Sequence, residues 1–195
     1  MNRKILITGA SGFIGTKLSC ELRNGSIVKT KSVRYKKNQE FTFDYDVIIH
    51  LAGLAHDVKG EKNEKEYEKS NFLLTKQIFD GFLKSNCKVF IFMSSVKAVG
   101  EKFIKPMTEF DDENPSTIYG KTKLYAEKYI MDSIDSEKKI IILRPSMVYG
   151  LGNKGNLNLL ISFCKTGLPW PLKAYENKKS FCSINNLVFV IKKIL

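Results

Sequence analysis

The sequence predicts an α/β protein built on a doubly wound parallel sheet. Three observations predict it. Short apolar runs such as Ile5-Leu6-Ile7, Val47-Ile48-Ile49, Val89-Phe90-Ile91-Phe92-Met93 and Ile140-Ile141-Ile142-Leu143 lack polar alternation, as strands covered on both faces do. Stretches with apolar residues at helical spacing fall between them. The first run empties into a glycine-punctuated turn, Thr8-Gly9-Ala10-Ser11-Gly12-Phe13-Ile14-Gly15, which opens a helix.

Taken in order, Phe13, Ile14, Leu18 and Leu22 give the first helix its apolar stripe, and Asn24-Gly25 stops it. Residues 27–34 read as a second strand. The stretch from Tyr45 to Gly53 holds a third, with only Phe41-Thr42-Phe43 as an extended piece before it. A regular doubly wound fold fits a helix and a strand into that interval. A charged helix over about 62–85 follows, with Tyr67, Phe72, Leu74, Ile78, Phe79 and Phe82 as its apolar face. The next strand ends in Ser94-Ser95. A polar loop over 100–115 carries the acids from Glu109 to Glu113. A helix starts near Ser116, passes Tyr119 and Lys123, and ends near Ile134. The strand at 140–143 stops at Arg144-Pro145. Beyond Gly150 the chain is loop-rich, with a helix at 156–165, the stretch Leu168-Pro169-Trp170-Pro171-Leu172, and a last apolar pattern at 187–195.

The formal net charge is +12 over 195 residues. The lysines are dispersed and often alternate with Glu at helical spacing, as in Glu61-Lys62-Asn63-Glu64-Lys65-Glu66, which is a solvated helix face rather than a nucleic-acid footprint. Four cysteines without Cys-x-x-Cys pairing, and only two histidines, argue against a disulfide framework or a metal site and for reduced, buried thiols. No apolar run reaches membrane-spanning length, and the N-terminal run meets glycine too soon for a signal peptide, so the expected location is cytoplasmic.

Three pieces carry chemistry. A strand, a glycine turn and a helix N-terminus together make a phosphate cradle, since backbone N–H groups and the helix dipole point at one anion. Tyr119-x-x-x-Lys123 puts a phenol and an ammonium on one helix face. A Tyr ionises near about pH 10, and lowering that by about three units takes ~4 kcal/mol, which a neighbouring ammonium can supply in part. Ser95, at the end of a parallel strand, can hydrogen-bond the same oxygen that Tyr119 protonates or deprotonates. Gly120-Lys121-Thr122 imitates the end of a P-loop, but Pro115 occupies the position of its leading glycine.

Thr8-Gly-x-x-Gly-x-x-Gly15, His50-Leu-Ala-Gly53, Ser94-Ser95…Gly100, Tyr119-Gly-Lys-Thr-Lys123 and Leu143-Arg-Pro-x-x-Val-Tyr-Gly150 occur in one order. This set resembles the extended short-chain dehydrogenase/reductase family of nucleotide-sugar epimerases, dehydratases and reductases, whose fold is Rossmann-like. The resemblance implies a dinucleotide-binding domain over 1–150 and the start of a substrate-binding region over 151–195. It implies that Gly9, Gly12, Phe13, Ile14 and Gly15 meet the dinucleotide, Leu51, Ala52 and Gly53 pass along it, and Asn71 supports the active-site side. It makes Tyr119 the acid/base, Ser95 its hydrogen-bonding partner at the substrate, and Lys123 the residue that also holds the nicotinamide ribose. Pro145 and Ser146 border the nicotinamide, and Asn156 and Leu157 contact the nucleotide-sugar. Neither His50 nor His56 receives a role.

Members that eliminate water carry an Asp-Glu pair where this chain has Val96 and Lys97, so a 4,6-dehydratase is disfavoured. The run Ser94-Ser95-Val96-Lys97 and the Leu-Pro-Trp-Pro-Leu stretch are similar to enzymes of bacterial surface-polysaccharide assembly. Those act at C4 of UDP-linked N-acetylhexosamines, as epimerases or as 4-keto reductases. The cofactor is NAD or NADP, and Arg34 with Lys36 and Lys37 near the end of the second strand favours NADP. A homodimer through the Tyr119 helix is implied by the resemblance. The chain departs from the family in its short 35–45 connection, in Lys179-Ser180…Ile184-Asn185-Asn186, and in stopping at Leu195, so the substrate region is expected to be incomplete. A non-catalytic dinucleotide-binding module is the alternative.

Overall fold

A computed structural model describes residues 3–55, 63–101, 106–133, 137–153, 157–169 and 178–195. These fall into two compact units, Met1–Pro145 and Ser146–Leu195.

In the first unit, strands β1 (Lys4–Thr8), β2 (Ile27–Lys31), β3 (Val47–His50), β4 (Val89–Met93) and β5 (Lys139–Leu143) form one sheet in the order β2-β1-β3-β4-β5. Every pairing is parallel, with Ile5 opposite Val28 on one side and Val47 on the other. The chain runs outward from β1 to β2, then returns past β1 to β3. That reversal makes the carboxyl ends of β1 and β3 the switch point where such sheets hold ligands. Central β1, β3 and β4 are almost wholly buried, whereas the edge strand β2 is exposed except for a half-buried Val28. The second strand is thus shorter than the expected 27–34.

Helix α1 (Phe13–Leu22) buries Gly15, Leu18, Ser19 and Leu22. The expected long helix is one continuous element of three parts: α2 (Glu64–Tyr67), a π segment (Glu68–Leu73) and α3 (Leu74–Leu83). A reciprocal Asn63–Glu66 capping box starts it. Leu74, Ile78, Phe79 and Phe82 are buried as the periodicity predicts, and Phe79 meets the Phe90 ring edge-on at 5.1 Å. Helix α4 (Ile118–Asp132) adds Ala126 and Ile130 to the same core.

No helix or strand lies between β2 and β3. The connection crosses α3 instead, with Phe41 buried and Val33, Tyr35, Phe43 and Tyr45 packed against the core. Gly81 makes this crossing feasible, because a Cβ there would lie 2.4 Å from Phe41 O. Gln77 Nε2 donates to Lys36 O at 2.7 Å and holds the strap in place.

The second unit contains β6 (Met147–Tyr149) paired in parallel with β7 (Phe181–Ser183), helix α5 (Leu157–Lys165), and helix α6 (Ile184–Ile194). Ser183 caps α6 by accepting from Asn185 N, and Ile184, Leu187, Val188 and Ile191 are its buried face. Among the described residues no helix is long and apolar enough to cross a membrane. The expectation of buried thiols is corrected in part: all four cysteines are free, but Cys20 and Cys164 are exposed on the outer faces of α1 and α5, and only Cys87 is buried.

Candidate active site

The glycine turn is shaped by contacts that exclude side chains. Gly9 has φ +72°, and a Cβ on it would sit 2.6 Å from Ala52 N. A Cβ on Gly15 would lie 2.3 Å from Gly9 O, so the first turn of α1 packs directly on the loop that precedes it. Gly12 is the N-cap and no side chain caps the helix, which leaves the first amides of α1 open to an anion. Phe13 and Ile14 are half-buried there, and Arg34, Lys36 and Lys37 are exposed beyond β2.

The segment leaving β3 reaches Asn71 and Lys123. A Cβ on Gly53 would meet Asn71 Oδ1 at 2.9 Å and Lys123 Nζ at 3.4 Å. Gly53 therefore passes beside those two side chains, while Leu51 and Ala52 lie against Gly9. Asn71 lies in the π segment with no exposed surface. Its Oδ1 accepts from Leu54 N at 2.7 Å, and its Nδ2 donates to Leu54 O at 3.0 Å and to Thr122 Oγ1 at 3.2 Å.

At the end of β4 the two serines divide their work. Ser94 is 3% exposed and its hydroxyl has no hydrogen-bond partner among the described residues. Ser95 caps a 3-10 turn (Val96–Ala98), its Oγ accepting from Lys97 N at 3.2 Å, and its hydroxyl favours the ionised form of the Tyr119 phenol. Gly120 allows that turn to approach α4, because a Cβ there would lie 2.2 Å from Lys97 O. Pro145 touches the same turn, its carbonyl accepting from Val96 N at 3.1 Å.

Lys123 is buried, donates from Nζ to Met93 O at 2.8 Å and stands 4.7 Å from the centre of the Phe92 ring. Burial pushes its pKa down to about 8, against the upward pull of Glu127. Glu127, itself buried, accepts from Arg144 Nε at 3.0 and 3.2 Å, and Arg144 also pairs with Glu113. Tyr119 departs from the expectation drawn from its spacing. Burial raises the phenol above its ordinary value, the Ser95 hydroxyl pulls the other way, and the Lys123 ammonium donates to Met93 O. In this state Tyr119 is a protonated acid.

Of the residues expected at the site, Gly9, Gly12, Gly15, the 51–53 segment, Asn71, Ser95, Tyr119, Lys123 and Pro145 gather at the carboxyl edge of the sheet. Ser146 and Leu157 belong to the second unit. Asn156 and His56 lie outside the described residues, and among those described no group of three His, Cys, Asp or Glu side chains could hold a metal ion.

Sequence reasoning missed His50, Glu127 and Thr122. His50 carried a signal: a polar residue closing a run of Val-Ile-Ile in a strand covered on both faces must find partners inside. It does so, with Nδ1 2.7 Å from Thr8 Oγ1 and Nε2 3.0 Å from Thr75 Oγ1.

A family model described as the NAD dependent epimerase/dehydratase family matches residues 5–195. A UDP-glucose 4-epimerase of Vibrio cholerae is 33% identical over 98% of this chain and 66% of its own length. An N-acetyl-alpha-D-glucosaminyl-diphospho-ditrans,octacis-undecaprenol 4-epimerase of Escherichia coli O157:H7 is 27% identical over 98% of this chain and 63% of its own. The chain thus spans just under two thirds of these relatives. Among solved structures, a UDP-glucuronic acid 4-epimerase from Bacillus cereus in complex with NAD superposes with a TM-score of 0.78 at 21% identity. It is matched over 98% of this chain and 72% of the other, a likeness of fold.

Proposed function

The chain belongs to the NAD-dependent epimerase/dehydratase family, and from that premise we propose that it serves a nicotinamide-dependent reaction at C4 of a UDP-hexose. The observation that carries the reading is the convergence of Ser95, Tyr119 and a buried Lys123 at the edge of the sheet where the glycine turn lies. The turn fits a dinucleotide: Gly9 and Gly15 admit no side chain, and the α1 amides are uncapped. Gly9, Gly12 and Gly15 would take the pyrophosphate, the 51–53 segment and Asn71 the middle, and Lys123 the ribose.

When bound, the nicotinamide accepts or returns hydride at C4. Tyr119 holds the proton for the C4 oxygen and gives or takes it there. Ser95 Oγ, already accepting from Lys97 N, keeps its own proton for hydrogen bonding in line with the phenol. For Tyr119 to act as base, the Lys123 ammonium must turn from Met93 O toward the phenol and lower it. An N-acetylhexosamine as substrate and a place in surface-polysaccharide synthesis form the finer reading, supported by the Ser94-Ser95-Val96-Lys97 run and by the undecaprenol-linked substrate named for the Escherichia coli relative. Both named relatives are 4-epimerases, which favours epimerase over 4-keto reductase.

Residues 151–195 would begin the substrate region, with Ser146 bordering the nicotinamide and Asn156 and Leu157 contacting the sugar-nucleotide. Exposed Arg34 supports NADP over NAD. Tyr125 and Met131, 52% and 57% exposed on α4, support a homodimer through that helix. A dinucleotide-binding module without turnover is the second reading, favoured by a Tyr119 phenol raised by burial and a Lys123 that donates to Met93 O.

Turnover of UDP-N-acetylglucosamine and UDP-glucose, with NADH and NADPH binding followed by fluorescence, tests these statements. Tyr119→Phe is expected to lose about a hundredfold or more in turnover with cofactor affinity kept. Parent-like turnover by that variant sinks the acid/base assignment, and cofactor binding without turnover by the parent favours the second reading. An unchanged NADPH-to-NADH ratio in Arg34→Ala removes the case for NADP.

A further inference from the structure

A buried histidine links the glycine turn to the helix that carries Tyr119. His50 ends β3 with no exposed surface. Its proton can be placed by counting donors. The single hydroxyl proton of Thr75 goes to Asn71 O at 2.7 Å, so toward His50 Nε2, 3.0 Å away, Thr75 Oγ1 can only accept. Nε2 therefore carries the ring hydrogen. Burial keeps the ring neutral, its pKa pushed down to about 3 with the Lys123 ammonium adding to the shift. Nδ1 is then bare and accepts the Thr8 hydroxyl at 2.7 Å, and Thr8 Oγ1 accepts from Ala52 N at 3.4 Å.

The donors thus run one way, from Ala52 through Thr8, His50 and Thr75 to Asn71 O. The Asn71 side chain continues the connection: it clasps Leu54 in both directions and donates to Thr122, whose hydroxyl donates to Tyr119 O at 3.0 Å. Reversing the ring would break the link to Thr75, whose proton is committed to Asn71 O.

We infer that His50 is a positioning residue: through Thr8 and Thr75 it fixes the 51–54 backbone against Asn71, and so registers the glycine turn with Tyr119 and Lys123. The role rests on the reading of that turn as a dinucleotide site, and it deepens that reading. His50 touches neither reacting atom. It acts on where the two halves of the site stand relative to each other.

Two measurements test this on the intact chain. With ¹⁵N-labelled histidine, the His50 signal, assigned as the one lost in His50→Gln, should show a protonated Nε2 and a bare Nδ1, unchanged between about pH 8 and about pH 5. A ring that titrates in that range, or carries its hydrogen on Nδ1, overturns the role. NADH binding is then followed by fluorescence at a temperature where circular dichroism shows each variant folded. His50→Phe should bind about tenfold more weakly, as expected when buried hydroxyls lose their partner. His50→Gln, whose side-chain amide can still donate to Thr75, should recover much of that loss, and Thr75→Val should behave like the Phe variant. Equal affinity in His50→Phe and His50→Gln overturns the role, and so does parent-like affinity in Thr75→Val, which holds the test should the Phe variant fail to fold. If the unsubstituted chain binds no NADH, the dinucleotide reading falls and takes the role with it. Binding by the parent that every variant shares overturns the role alone.

Discussion

The two compact units are both α/β, yet they treat water differently. In Met1–Pro145 the central strands are sealed, and the site's charged and polar groups (Lys123, Glu127, His50, Asn71) are buried with partners at hand. In Ser146–Leu195, β6 and β7 leave Met147, Tyr149 and Phe181 between 41% and 45% exposed, and the buried apolar side chains among the described residues all lie on α6. The difference separates two tasks. Shifting a lysine down to about 8 requires a dry interior, which the first unit supplies from its core, while the buried Glu127 carboxylate limits the shift. A surface that presents apolar and aromatic side chains suits recognition and needs little core behind it.

Acid should break this contrast most strongly, because it attacks a buried group of the first unit alone. The unfolded imidazole takes a proton near its ordinary 6.5, while folded His50 does not until about 3. Stability from this group is therefore present above about pH 6.5 and lost as pH falls toward 3, by about 5 kcal/mol in full. Urea unfolding should show about 3 kcal/mol of that between about pH 6.5 and pH 4, relative to His50→Gln; parallel pH profiles in the two proteins would contradict it. Phe79→Ala comes next, at about 3–5 kcal/mol, since its ring meets Phe82, Phe90 and Tyr129 with no exposed surface. Leu187→Ala in α6 should cost about 2 kcal/mol, the low end for such a truncation, because neighbouring Phe189 and Val190 already face solvent. Calorimetry that found Leu187→Ala as damaging as Phe79→Ala would erase the distinction between the units.

Much of this was legible in the residues themselves. Ile5, Ile48 and Phe90 mark strands because no polar residue interrupts their runs, and the spacing of Tyr119 and Lys123 places both on one helix face. What escaped has a common cause: it depends on partners distant in sequence. That Lys123 turns to Met93 O, 30 residues away, and that Tyr119 is raised rather than lowered, follow from burial and not from spacing. Glu127 meets Arg144 across the gap between α4 and the end of β5, where Arg144 alone reads only as a strand stop. The three-residue strands β6 and β7 are too short to show a period. The π segment is equally invisible, since apolar periodicity on both sides of it reads as one uninterrupted helix.

That segment has a consequence for how the site tolerates change. A π turn is an α-helix that has absorbed one extra residue. Deleting one position within Glu68–Leu73 would restore ordinary pitch, and everything upstream would rotate by about 100° relative to α3. The helix itself would gain regular hydrogen bonds, while an Asn71 on the rotated side would swing away from Leu54 and Thr122. Single-residue deletions there should therefore separate a sound fold from the Asn71 contacts more cleanly than any substitution.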